Sequence, residues 1–244
     1  MTYCIAIALD AGLVFLSDSR TNAGIDQINT FRKMTVIERP GERVLVLMTA
    51  GNLSVSQSVV NILRERIEHS DEENLHHLPN LFEAARHVGG IVREVYQRDA
   101  AALKEFGIEF NSSIILGGQI AGEQPRLFSI YAAGNFIEAG ADTPYFQIGE
   151  SKYGKPIIDR VVTRQTTFED AAKCALISMD STIRSNLSVG MPLDLLLYER
   201  DAFRVRQHLS IGPENPYFNR IRTLWGERLR QAFSELPDPD WAGF

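Results

Sequence analysis

Residues 3–9 (YCIAIAL) and 12–17 (GLVFLS) are apolar on both strand faces, with Tyr3, Ile5, Ile7 and Leu9 on one side and Cys4, Ala6 and Ala8 on the other. Only Asp10-Ala11 separates the two runs, so the pattern predicts a β-hairpin in a sheet covered on both faces. Residues 34–38 (MTVIE) and 43–49 (RVLVLMT) predict a second strand pair, joined by the turn residues Arg39-Pro-Gly-Glu. The period then changes. Val59, Ile62, Leu63 and Ile67 form one stripe of a helix over 53–68 with Asn52 as N-cap, and Leu81, Phe82, Ala85, Val88, Val92 and Val95 mark a helix over 80–105.

Strand signals return at 112–118 (SSIILGG), 126–132 (RLFSIYA) and 135–138. A third helix is expected over 168–184, opened by a capping box at Thr166-Thr-Phe-Glu169. Strands at 193–199 (LDLLLYE) and 203–209 (FRVRQHL) precede an amphipathic stretch near 216–235. Strands, two helices, strands, helices and strands in that order predict an α+β layered fold, not an alternating βαβ sheet. With no repeat and no Pro/Gly-rich linker, residues 1–244 read as one domain, with 237–244 (PDPDWAGF) a flexible tail.

Composition narrows the function classes. The chain has 244 residues, 44% hydrophobic and 23% charged, with a formal net charge of -6. That suits a sizeable core and argues against a nucleic-acid or anionic-membrane partner. No apolar run approaches the roughly 20 residues that span a bilayer. The first basic residue is Arg20, so the start carries no signal-peptide pattern, and Cys4 and Cys174 read as reduced core thiols. A soluble cytoplasmic protein without metal or cofactor is expected.

Four residues suggest chemistry. Thr2 follows the initiator Met1, and a threonine hydroxyl becomes a nucleophile when its own free α-amine acts as base. That amine titrates near 7.7–8.0 in model peptides, but it exists only after Met1 is removed. Asp18 continues the face of Val14 and Leu16, where a carboxylate needs a partner, and Arg20 and Lys33 are the nearby cations. A lysine between this carboxylate and the nucleophile would ease deprotonation through its charge. The plainer alternative makes Asp18 a local turn cap and leaves Lys33 in solvent. Gly51 ends a buried run and precedes a helix, a junction suited to offering a backbone N–H to an oxyanion.

Thr2, Asp18-Ser-Arg20 ending the second strand, Lys33 before the next, and Ala50-Gly51 opening a helix resemble the pattern of proteasome β-subunits. The stretches MTYC, GLVF, SDSRTNAG and TFRKM resemble more closely the Anbu family, the bacterial ancestral β-subunits. The resemblance implies an N-terminal-nucleophile αββα sandwich and a threonine-type peptide or amide hydrolase that assembles with itself into a ring or spiral. It implies Thr2 as nucleophile and base, Asp18 and Lys33 as supporting ion pair, and Gly51 as oxyanion donor. By the same resemblance Ser151, in Gly149-Glu-Ser151, and Ser188 assist the amine, while Thr21, Phe31, Thr49 and Leu53 line a substrate pocket. Ser185 stands where proteasome subunits carry an aspartate that orients the amine. A non-catalytic self-assembling scaffold, and a small-amide hydrolase or amidotransferase with the same nucleophile, stay open beside the peptidase. No residue points to an ATPase partner.

Other motifs fail on chemistry. Gly149-Glu-Ser-Lys-Tyr-Gly154-Lys155-Pro156 matches seven positions of a phosphate-binding loop, but Pro156 lacks the hydroxyl that would hold Mg²⁺. It reads instead as a loop entering a helix with proline in its first turn. His76-His77 fall in an inter-helix loop without a third ligand, and no Gly-x-Ser-x-Gly elbow occurs.

Overall fold

The hairpin at the start of the chain forms because both of its faces find cover. In a computed structural model that describes residues 2–23, 27–69 and 74–241, β1 (Tyr3–Leu9) and β2 (Gly12–Asp18) are buried along their whole length. They lie inside a five-stranded antiparallel sheet of order β10-β1-β2-β11-β12, completed by β10 (Tyr145–Gly149), β11 (Leu193–Glu199) and β12 (Gln207–Ile211). A second sheet orders β5-β6-β7-β8-β9, from Met34–Arg39, Arg43–Gly51, Ser112–Ile120, Arg126–Ile130 and Phe136–Glu138. A small ribbon of β3 (Arg20–Ala23) and β4 (Gln27–Thr30) stands apart from both.

Parity explains the layers. Odd residues of β1, with Val14 and Leu16, pack under α4 (Phe168–Ser185), α3 (Lys155–Val161) and the start of α5 (Pro216–Ser234). Cys4, Ala6, Ala8, Leu13 and Phe15 face the second sheet, meeting Val44, Val46, Met48 and Ile115. The far face of that sheet is covered by α1 (Leu53–His69) and α2 (Leu81–Glu105). The result is helices, sheet, sheet, helices: the α+β sandwich expected. Each large apolar side chain so buried contributes about 1.5–3 kcal/mol.

Several boundaries move for local reasons. The capping box shifts by one residue, because Thr167, not Thr166, accepts from the N–H of Asp170. The strand expected at 126–132 stops at Ile130, where Gly134 N–H closes a turn on Tyr131 O. The strand expected at 203–209 lies instead at β12, since Asp201 and Phe203 take positive φ and the chain turns there first. Phe82 sits on the outer side of α2, 45% exposed, with its ring edge-on to Phe136. The strands β3, β4 and β10 carry too little pattern to be read from the sequence. Pro156 does open α3, and residues 74–78 with His76-His77 form the turn before α2. Met1, Gly24 and the end of the tail at 242–244 lie outside the described residues.

Candidate active site

β1 pairs with β10 so that Tyr3 faces Gly149, and Glu150 N–H donates to Thr2 O at 2.8 Å. Thr2 is therefore held by a ladder rung at the end of the first sheet, and it is buried. Gly149, at φ +80°, makes this possible: a Cβ there would stand 1.8 Å from Thr2 O. The same register places Ser151 one residue past the rung, as the first residue of a short 3₁₀ turn over Ser151–Tyr153.

Asp18 ends β2 fully buried, with its carboxylate gathering three donors. Lys33 Nζ donates to Oδ1 at 2.6 Å, Tyr3 N–H to Oδ1 at 3.0 Å and Gly190 N–H to Oδ2 at 3.3 Å. Burial pushes the Asp18 carboxyl above its ordinary range, and the Lys33 ammonium with the two backbone N–H groups opposes that rise. Lys33 Nζ also donates to Arg20 O at 2.7 Å. Arg20 thus supports the pair through its carbonyl. Its guanidinium turns away to Leu187 O at 3.0 Å and lies against Gly190.

Gly51 is positioned by the second sheet. Thr49 N–H reaches Lys33 O at 3.0 Å, and Asn52 N–H reaches Asn111 O at 2.9 Å on the opposite edge. Since N–H groups alternate sides along a strand, Gly51 N–H points the way of Thr49, past the end of β5. The residue that would face it, Phe31, instead donates its N–H to Ser19 O, so no strand continues opposite Gly51. Gly51 also holds φ +111°, and a Cβ there would stand 2.4 Å from Asn111 O. Just beyond it Asn52 caps α1 through Ser54 N–H at 2.9 Å, so the positive end of that helix faces the same space.

That space is a cavity of about 310 Å³ lined by Thr2, Thr21, Lys33, Thr49, Ala50, Gly51, Asn52, Leu53 and Ser56. Six residues singled out in the sequence meet in its wall: Thr2, Lys33, Gly51, Thr21, Thr49 and Leu53. Asp18 stands behind Lys33, outside the wall. Phe31 is 37% exposed and does not line it. Ser188 is half-buried in the loop after α4, its N–H on Asn186 Oδ1 at 2.9 Å, while Ser185 is exposed as the last residue of that helix. Sequence reasoning missed Asn52 and Ser56 as wall residues and Gly190 as a donor to Asp18. Only the helical phase of Ser56 and the glycine after Ser188 hinted at them.

Among the described residues no group of three or more His, Cys, Asp or Glu is placed to hold a metal ion, and no helix is long and apolar enough to cross a membrane. Chemically, the cavity brings a hydroxyl, a paired ammonium and an N–H donor to one wall, with no carboxylate among its lining residues.

The family model for proteasome subunits matches residues 2–194. Among solved structures, Anbu from Yersinia bercovieri is 53% identical over 98% of this chain and 99% of its own, with a TM-score of 0.92. The Anbu complex from Pseudomonas aeruginosa, described as a helical assembly, is 51% identical over 99% of both chains, with a TM-score of 0.94. Anbu from Hyphomicrobium sp. strain MC1 is 48% identical over 98% of this chain and all of its own, at 0.90. No protein of curated function matches the sequence. The match over the segment that carries Thr2, Asp18, Lys33 and Gly51, and likenesses that run nearly end to end, place the chain in the proteasome-subunit family, in its Anbu (ancestral β-subunit) branch.

Proposed function

We propose that the protein is a threonine-type amide hydrolase acting on peptides, with Thr2 as nucleophile once Met1 is removed. The observation that carries this reading is the shared cavity wall of Thr2, Lys33 and Gly51. Thr2 Oγ1 attacks the substrate carbonyl as its proton passes to the Thr2 α-amine. The Lys33 ammonium, held by Asp18 and Arg20 O, disfavours a second positive charge beside it and so keeps that amine in its basic form near neutral pH. Gly51 N–H, backed by the N-terminus of α1, receives the oxyanion of the tetrahedral intermediate. Collapse breaks the C–N bond, and the leaving amine takes the proton held by the Thr2 ammonium. Water, deprotonated by the same amine, then cleaves the acyl ester and frees Thr2. Ser151 assists the amine from the loop beside Thr2, and Ser188 from the loop whose Gly190 binds Asp18. Thr21, Thr49 and Leu53 contact the substrate side chain.

The same reading includes self-assembly into an open spiral, by analogy with the helical assembly of the Pseudomonas aeruginosa relative. One observation favours a second reading, a self-assembling scaffold of low activity. Ser185 is exposed at the end of α4, and neither its side-chain type nor its exposure supplies the carboxylate that orients the amine in proteasome subunits.

Intact mass separates the readings. A chain lacking Met1 that gains one β-lactone or epoxyketone adduct, lost in Thr2→Ala, supports the hydrolase. Retained Met1, or no adduct at high reagent excess, rules it out in favour of the scaffold.

A further inference from the structure

A carboxylate beside the start of the chain lacks a donor. Glu150 follows β10 directly and its side chain is only 16% exposed, yet among the described residues it accepts no hydrogen bond. It does not cap the 3₁₀ turn that it precedes. The cation beside it, Lys152 Nζ, stands 3.8 Å away on a side chain that is 71% exposed. A pair that long and that well solvated contributes little. A carboxylate this covered calls for N–H donors.

The chain start is placed to supply them. Tyr3 N–H points toward β2, where it meets Asp18 Oδ1 at 3.0 Å. Backbone groups alternate sides along a strand, so the Thr2 nitrogen, one residue back, points the other way, toward β10. Thr2 O points there too, since it accepts Glu150 N–H at 2.8 Å. The Thr2 nitrogen and Glu150 therefore share one side of β1. Asp18 lies on the opposite side and is already occupied by Lys33, Tyr3 N–H and Gly190 N–H. With Met1 removed, the Thr2 amine gains free N–H groups on the side where Glu150 has none to accept.

We propose that Glu150 is a positioning residue for the Thr2 amine. Its carboxylate accepts one amine N–H, which turns the nitrogen lone pair toward Thr2 Oγ1, and it pairs with the ammonium once the Oγ1 proton has arrived. Glu150 itself takes no proton: the proton passes from Oγ1 to the amine and from there to the leaving nitrogen. The inference rests on the hydrolase reading above. It supplies, from the loop after β10, the carboxylate that Ser185 does not bring at the end of α4. Glu150 also works against Lys33. The Lys33 ammonium lowers the proton affinity of the amine and the Glu150 carboxylate raises it, so the two together set the pH at which Thr2 becomes reactive.

The test is the rate of β-lactone labelling of Thr2, followed by intact mass from pH 5.5 to 9.5 on the full chain. Glu150→Gln keeps the shape and removes the charge. It is expected to move the half-point of the profile about one unit toward lower pH and to lower the plateau rate roughly tenfold. Glu150→Asp keeps the charge but draws it back, so the half-point should stay at the wild-type pH while the plateau falls; it also provides a second reading should Glu150→Gln misfold. Lys152→Ala should leave both values unchanged. A wild-type profile in folded Glu150→Gln, or a wild-type plateau in Glu150→Asp, overturns the assignment while the hydrolase reading stands. So does a lower melting temperature in Glu150→Gln with the half-point unmoved, which marks a purely structural residue. Loss of labelling in Lys152→Ala equal to that in Glu150→Gln overturns it in favour of a tie within the turn. A wild type that retains Met1 or takes no label overturns both readings.

Discussion

At the residue scale the decisive arrangement is Asp18 with Lys33. Two charges this deeply buried are costly, and the cost is met by geometry: the carboxylate has three donors and the ammonium two oxygen acceptors. Replacing Lys33 with Met leaves Asp18 without its ammonium, and the variant should lose about 3–5 kcal/mol of stability at neutral pH. The sign of its pH dependence follows. Burial raises the Asp18 carboxyl above its ordinary value of 3.8 and, without Lys33, acts with less opposition. A folded state that binds its proton more tightly than the unfolded chain loses stability as pH rises. The gap between wild type and Lys33→Met should therefore narrow as the pH is lowered from neutrality toward the ordinary carboxylate range. Thermal melts across that interval check it, and a gap independent of pH would show that Asp18 is not the group involved. Thr2, Asp18, Lys33 and Gly51 were all legible in the sequence as residue types at strand ends. What each binds was not: the Arg20 guanidinium, the nearest cation in sequence, ignores Asp18, and its carbonyl serves Lys33 instead.

At the scale of elements, the junction between β6 and α1 forms one wall of the candidate cavity. Its shape depends on Gly51, whose φ of +111° and contact with Asn111 O leave no room for a Cβ. Gly51→Ala should cost about 1–3 kcal/mol and shift the N–H that faces the cavity. Slower β-lactone labelling of Thr2, together with a lower melting temperature, is the expected pair of results. Unchanged labelling would separate Gly51 from the oxyanion role. A cap far from the cavity provides a contrast. Thr167→Ala removes the side-chain acceptor for Asp170 N–H at the start of α4 and should cost about 1 kcal/mol without slowing labelling. Long helices and buried strands were readable because each repeats a periodic signal. The strands β3, β4 and β10 were not: β10 exists as an edge partner of β1, a pairing more than 130 residues apart that local pattern does not encode.

At the scale of the molecule, the two sheets and their helical covers remove both thiols from solvent. Cys4 lies in the layer between the sheets, and Cys174 faces the first sheet from α4. Burial pushes the Cys174 thiol up to about 11 and Cys4 higher still. Neither forms a reactive thiolate near pH 8. Ellman's reagent should find almost no thiol in the native protein and two per chain in denaturant. Rapid native labelling of one thiol would place that layer at the surface. The same layering leaves the outer half of α5 beyond the body, with its apolar face bare.

What the amino-acid sequence determined on its own was periodic or chemical: the double-faced apolar hairpin, the stripes of α1 and α2, a capping signal at the start of α4, an α+β order of elements, and a threonine, a carboxylate, a lysine and a glycine at the ends of elements. These follow from local geometry, because side-chain spacing decides which face a residue occupies. The tertiary structure alone decided which ends meet. The rung from Glu150 to Thr2, the gathering of Tyr3, Lys33 and Gly190 on Asp18, the exclusion of Phe31 from the cavity and the overhang of α5 all arise from contacts between segments remote in sequence. Such contacts are selected by total burial and hydrogen-bond satisfaction, which no local stretch of the chain contains.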